Sequence, residues 1–144
     1  MGDYFIKLNM WDTAGQERFR SLTPMFYRET DFIVLIYSVD NLQSFKSLAS
    51  WCNSITTECV TQPTIVVVAN KSDLESQRMV TTETGLNFAV EHGFDFIELS
   101  AKDQPDKIND LMNLIGKKCL TKIISKDVNE PTDVLVHAEK SSCC

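Results

Sequence analysis

Three short polar clusters carry whatever chemistry this 144-residue chain performs. The first is Trp11-Asp12-Thr13-Ala14-Gly15-Gln16-Glu17-Arg18-Phe19-Arg20. Asp12 suits a carboxylate that reaches a hydrated Mg²⁺, and the Gly15 amide suits contact with a terminal phosphate. The side-chain amide of Gln16 would then orient an attacking water, making it the catalytic candidate. The second cluster is Asn70-Lys71-Ser72-Asp73. A buried carboxylate at Asp73 accepts two hydrogens from the N1 and exocyclic amino edge of guanine, which adenine does not offer. Leaving that carboxylate unpaired gives discrimination on the order of 10⁴. The Lys71 stem can lie over the purine ring while Asn70 ties the loop to neighbouring backbone. An ordinary polar turn accounts for this tetrapeptide, taken alone, at least as well. The third cluster, Ser100-Ala101-Lys102, is nearly uninformative alone, because small residues commonly follow strands.

Each cluster follows a segment that reads as a strand. Ile6, Leu8 and Met10 alternate with Lys7, Asn9 and Trp11, which predicts a strand leading into Asp12. Phe32 to Val39 and Thr64 to Ala69 are short apolar runs, suited to strands buried on both faces. Phe94 to Leu99 predicts a further strand. Between them, Phe45, Leu48, Trp51, Cys52 and Ile55 recur at helical spacing. Thr82 to His92 predicts a second helix, with Gly93 placed to end it. Ile108, Leu111, Met112, Ile115, Cys119 and Ile123 mark one face of a long last helix. Such alternation predicts an α/β fold with a parallel sheet and helices on both faces. Ligands of open parallel sheets bind outside the carboxyl ends of the strands, so the three clusters are expected to meet on one edge.

Composition narrows the functional classes. With 43% apolar residues the chain is long enough for one domain with a single core. A net charge of −6, from 14 basic and 20 acidic residues, argues against a nucleic-acid surface. No run of 18 apolar residues occurs, and the start lacks a charged-then-apolar signal peptide. Met1-Gly2 is followed by Ile6 where a myristoylation signal wants Ser or Thr. Five cysteines without a Cys-x-x-Cys pair support neither a zinc site nor a disulfide framework. Cys52, Cys59 and Cys119 fall in apolar patterns and are expected to pack as small core residues.

The first cluster matches the third nucleotide motif of Ras-like small GTPases, and Gln16-Glu17-Arg18-Phe19-Arg20-Ser21 resembles the Rab branch. Asn70-Lys71-Ser72-Asp73 and Ser100-Ala101-Lys102 are similar to the family's guanine motifs in the expected order, the latter with a backbone amide at Ala101 meeting the guanine carbonyl. The resemblance covers Tyr4 to about Ile123 and implies a Ras-like P-loop NTPase fold with a mainly parallel central sheet. It implies GTP and GDP as ligands with Mg²⁺ held through water by Asp12, nucleotide contacts from Gly15, Asn70, Lys71, Asp73, Ser100, Ala101 and Lys102, and hydrolysis assisted by Gln16. Exchange factors, GTPase-activating proteins, effectors and prenylation escorts would be the partners, and vesicle traffic the process. Arg18, Phe19, Leu22, Phe26 and Tyr27 resemble a Rab's second switch, whereas Phe26-Tyr27-Arg28-Glu29-Thr30 departs from the usual Tyr-Tyr-Arg-Gly-Ala.

Residues 1–124 are expected to form the partial GTPase domain, and 125–144 a disordered tether. Cys143-Cys144 resembles the double-geranylgeranyl signal of Rab proteins, which would place the protein on the cytoplasmic face of intracellular membranes, cycling with cytosol. No Gly-x-x-x-x-Gly-Lys-Ser/Thr loop occurs among these residues. Gly116-Lys117-Lys118 lies inside the predicted last helix without an upstream Gly and is assigned to a solvated helix end. Compared with the family, the first two strands, the phosphate loop and the first helix are expected to be absent. The missing first strand would lie between the one ending at Trp11 and the one at Phe32 to Val39, so a stable monomer in the standard fold is not expected. A prenylated interaction module without hydrolysis, or a non-functional fragment, are the alternative readings.

Overall fold

The computed structural model describes residues 6–12 and 28–127. Its centre is a parallel three-stranded sheet ordered β1-β2-β3, with β1 at Phe32–Ser38, β2 at Thr64–Asn70 and β3 at Asp95–Glu98. The register is continuous, Phe32 opposite Thr64 through Ser38 opposite Asn70, then Val66 opposite Asp95 through Ala69 opposite Glu98. β2 is TIVVVAN, whose β-branched side chains suit a central strand with both faces covered; Ile65 to Ala69 are all buried.

The helices have local causes. α1 (Leu42–Glu58) starts where the Asn41 side chain accepts from the Ser44 N–H at 3.0 Å. α2 (Thr82–Glu91) starts in the same way at Thr81, which accepts from the Thr84 N–H at 3.1 Å. Gly93 then turns the chain at φ +70°, a conformation that glycine adopts without steric cost. α3 (Pro105–Asp127) begins on a proline, whose missing N–H and fixed φ suit a first helical position.

Helices cover both faces, as the alternation predicts. α1 and α2 lie on one side, where Leu35, Tyr37, Leu48, Cys52, Val67 and Ala89 belong to one buried cluster. α3 lies on the other, where Val66, Val68, Leu99, Leu111 and Ile115 form the second. The thiols of Cys52, Cys59 and Cys119 pack against these clusters, and burial raises the pKa of all three. The sheet, its helices and the parallel order make an α/β fold.

Four expectations need correction. Residues 6–12 form no strand: Met10 and Trp11 are each 72% exposed, and Leu8 is the residue that packs against the second cluster. Alternation supplies an amphipathic segment, but a strand also needs a neighbour to take its hydrogen bonds, and no described strand flanks this one. Ile6 and Leu8 instead meet Met112, Gly116 and Leu120 across a shallow groove of about 290 Å³ on α3. Gly116-Lys117-Lys118 lies inside the last helix, as expected, but midway along α3 rather than at its end, and the Lys118 ammonium pairs with Asp95. The helix also runs to Asp127, past Ser125 where the apolar pattern stops. Asp73, expected to be buried, is exposed.

Candidate nucleotide-binding site

The second and third clusters sit at the carboxyl ends of adjacent parallel strands, β2 and β3, and are tied together side chain to side chain. The Ser100 hydroxyl donates to Asp73 Oδ1 at 2.6 Å. Asn70 Oδ1 accepts from the Ala101 N–H at 3.1 Å and from the Lys71 N–H at 2.7 Å. A backbone bond from Ser72 N–H to Leu99 O, 3.2 Å, closes the same gap. Ser100 is 1% exposed and itself accepts from the Asp103 N–H at 3.1 Å, so its hydroxyl is fully engaged and fixed in direction. Residues separated by about thirty positions thus become one rigid pair of loops.

Two features set the electrostatics and shape. Lys71 has φ +62°, a left-handed conformation that costs about 1–2 kcal/mol for a residue with a Cβ. Its ammonium lies 3.5 Å from Asp40 Oδ2, and Asp40 also accepts from the Ser38 hydroxyl. That hydroxyl first, and Lys71 second among the favourable causes, hold the Asp40 carboxyl below the usual carboxylate range. Beneath the loops, Arg78 grips Glu98 through Nη2 at 2.8 Å and Nη1 at 3.2 Å, while Thr82 donates to Glu98 at 2.9 Å. This fork joins the segment after the second cluster to the strand before the third.

The residue set fits a guanine base in part. Asp73 is open to solvent, and its Oδ1 is held by Ser100, which leaves Oδ2 to face an incoming N–H. The Ala101 N–H is taken by Asn70, so a carbonyl ligand there has to displace that bond. Lys102 is exposed. Asp12, also exposed, is the described member of the first cluster that would hold Mg²⁺ through water. Gly15 and Gln16 lie outside the described residues, as do the Arg18-to-Tyr27 segment and Cys143-Cys144.

The Ras family profile matches residues 1–121. The chain belongs to the Ras family. Among its Rab-named relatives, Ras-related protein Rab-3 of Caenorhabditis elegans is 41% identical over 71% of this chain and 47% of its own length. Ras-related protein RIC1 of Oryza sativa is 36% identical, covering 96% of this chain and 72% of itself. Human Ras-related protein Rab-3A is 36% identical across 90% of this chain and 59% of itself. The chain therefore spans between about half and three quarters of these relatives' length, and its resemblance places it among the Rab-type members of the family.

Sequence reasoning missed Arg78, Glu98, Ser38 and Asp40, which brace these two loops. One signal was present. Glu98 closes the apolar run Phe94 to Leu99, and a carboxylate in such a run needs a paired cation. Nothing in the spacing identifies Arg78, twenty residues away, as that cation.

Proposed function

We propose that this chain is a Rab-type small GTPase that binds GTP and GDP and hydrolyses GTP as a switch in vesicle-mediated transport. The observation that carries the reading is the pair of side-chain bonds, Ser100 to Asp73 and Ala101 to Asn70, which present one carboxylate on a braced edge. Asp73 reads the guanine N1 and amino hydrogens, the Lys71 stem covers the ring, and the Ala101 amide turns from Asn70 to the base carbonyl. Ser100 and Lys102 complete the base site. Asp12 and Gly15 serve the phosphate end, and Gln16 orients the attacking water. Mg²⁺, when bound, offsets charge on the phosphate oxygens. Exchange factors, GTPase-activating proteins, effectors and prenylation escorts are the proposed partners. Residues 1–124 act as the GTPase portion, and 125–144 as a tether to the cytoplasmic face of intracellular membranes through lipids on Cys143 and Cys144. No described helix is long and apolar enough to cross a membrane. Two prenyl chains give stable anchoring where one gives reversible binding. Intact mass of the chain from eukaryotic cells, with and without Cys143→Ser and Cys144→Ser, reads that modification.

For the 144-residue polypeptide itself we propose weak nucleotide binding, because no Gly-x-x-x-x-Gly-Lys-Ser/Thr run among these residues cradles the β- and γ-phosphates. Titration of ¹⁵N-labelled chain with GDP and with ADP tests the base site even at affinities of ~1 mM. The Lys71, Asp73 and Ala101 amides should shift with GDP and not with ADP, and Asp73→Ala should abolish the difference. Equal response to both nucleotides would reject the guanine assignment. Submicromolar, Mg²⁺-dependent GTP binding would overturn the weak-binding proposal and imply a substitute phosphate site.

A further inference from the structure

Lys71 is held at each of its polar atoms. Its N–H donates to Asn70 Oδ1 at 2.7 Å, its carbonyl accepts from the Leu74 N–H at 3.0 Å, and its ammonium lies 3.5 Å from Asp40 Oδ2. A left-handed backbone at a residue with a Cβ persists where its surroundings over-determine it, and these three anchors do so. The third anchor comes from a different strand. Asp40 follows β1, and the pairing of Ser38 with Asn70 sets its turn beside the Lys71 loop, as does the 3.0 Å bond from Val39 N–H to Asn70 O. That turn is itself fixed. The Asn41 N–H donates to Ser38 O at 3.0 Å. Ser44 Oγ accepts from the Ser38 N–H at 3.0 Å and donates to Asn41 O at 2.7 Å. The Ser38 hydroxyl occupies Asp40 Oδ1, which leaves Oδ2 for the ammonium. The Asp40 side chain is 20% exposed against 52% for Lys71, so the carboxylate is the fixed member and the lysine the guided one.

We propose that Asp40 is a positioning residue for the base site: by holding the Lys71 ammonium, it fixes the aliphatic stem as a wall for a guanine ring. The proposal rests on the guanine reading of these loops and adds the end of β1 to it. Sheet order separates the two roles. Asp40 lies on the β1 side of Lys71, whereas Asp73 is bonded toward β3 through Ser100. Asp73 therefore reads the edge of the base, the Lys71 stem covers its face, and Asp40 acts only through Lys71. The gain is one of preorganisation. A lysine stem left free loses rotamer freedom when it packs on a ligand, and a tethered one has already lost it. The Ser38 hydroxyl, ahead of Lys71, holds the Asp40 carboxyl below the usual carboxylate range, so the tether is charged at neutral pH. Water screens so exposed a pair, and its removal should leave the stability of the fold nearly unchanged.

GDP titration of the ¹⁵N-labelled 144-residue chain, as parent, Asp40→Asn, Lys71→Met and the double variant, tests this. Asp40→Asn keeps an acceptor for Ser38 and removes the charge, while Lys71→Met keeps a stem and removes the ammonium. Each should weaken GDP binding by at least about threefold, and the double variant no more than either alone, because both cut one tether. Asp40→Glu, which restores a carboxylate, should recover most of the loss. Urea midpoints of all the chains should agree. Preference for GDP over ADP should survive in Asp40→Asn, since Asp73 still reads the base edge. Parent-like GDP binding by Asp40→Asn overturns the proposal and leaves the guanine reading intact. So do losses that add in the double variant, a loss that tracks a falling urea midpoint, or an Asp40→Glu chain as weak as Asp40→Asn. If Asp40→Asn fails to fold, parent-like binding by Lys71→Met rejects the tether and weakened binding upholds it. A parent chain that answers GDP and ADP alike overturns the guanine reading and the proposal with it.

Discussion

Among the described residues, the two faces of the sheet are covered unequally. On the first, α1 and α2 together bury Tyr37, Leu48, Val67 and their neighbours, and Tyr37 is left 1% exposed. On the second, α3 and Leu8 bury Val66, Val68, Leu111 and Ile115, yet Ile36 of β1, the register partner of Val68, remains open. Both faces are built from apolar strand residues, so apolarity alone does not decide which side chains leave water. The number and reach of the helices above them does. Stability should accordingly be concentrated on the two-helix face, and the experiments below test that asymmetry.

The largest contrast is between Leu48, 1% exposed on α1, and Ile36, open on the other face. Leu48→Ala should destabilise the chain by ~2–5 kcal/mol, through lost transfer energy and the cavity left behind. Ile36→Ala should stay within about 0.5 kcal/mol. Urea unfolding followed by circular dichroism gives both numbers. Comparable losses would mean that the second face is covered in solution.

A smaller effect sharpens how tightly α2 sits on that face. A Cβ at Gly85 would overlap the Tyr37 hydroxyl and come within 2.9 Å of Phe96 Cε2. Helix propensity favours Ala over Gly by about 1 kcal/mol, but overpacking a filled site costs ~1–3 kcal/mol, so Gly85→Ala should be net destabilising. The Tyr37 hydroxyl is buried without a hydrogen-bond partner among the described residues. Tyr37→Phe should therefore be neutral or mildly stabilising and should relieve part of the Gly85→Ala loss, a coupling that a double-mutant cycle measures. Strict additivity would show that α2 moves away instead.

The gentlest probe is alkaline pH. Burial first, and then nearby Glu98, push the Tyr37 hydroxyl up to about 12, with Arg78 opposing. The unfolded chain ionises this group near 10, so its contribution is whole below that pH and is lost as pH rises toward about 12. Urea midpoints at pH 9 to 11 should fall less steeply in Tyr37→Phe than in the parent chain. Parallel slopes would assign the alkaline loss to other groups.

Most of this architecture was legible in the residues. Strands expected at Phe32 to Val39 and Thr64 to Ala69 end within one residue of β1 and β2, because unbroken β-branched runs are sharply bounded by polar residues. Gly93 marks the end of α2 for a backbone reason that any sequence displays. The misses share one cause, which is that their outcome rests on a partner far along the chain. Alternation at Ile6, Leu8 and Met10 specified a face but not a neighbouring strand. Gly116-Lys117-Lys118 looked terminal because local polarity cannot reveal Asp95 waiting for Lys118. At the site, the two loops were named correctly as neighbours on one edge, while Asp73's exposure and the Arg78–Glu98 fork depend on packing alone.

The raised thiol pKa values have a kinetic use. Alkylating reagents attack thiolates, and a thiol that resists ionisation reacts when its surroundings open. Cys52 belongs to the cluster under α1 and α2, and Cys119 packs in the cluster under α3. Their alkylation rates are therefore two native clocks, one for each side of the sheet. Without any engineered label, the chain can report which side loosens first.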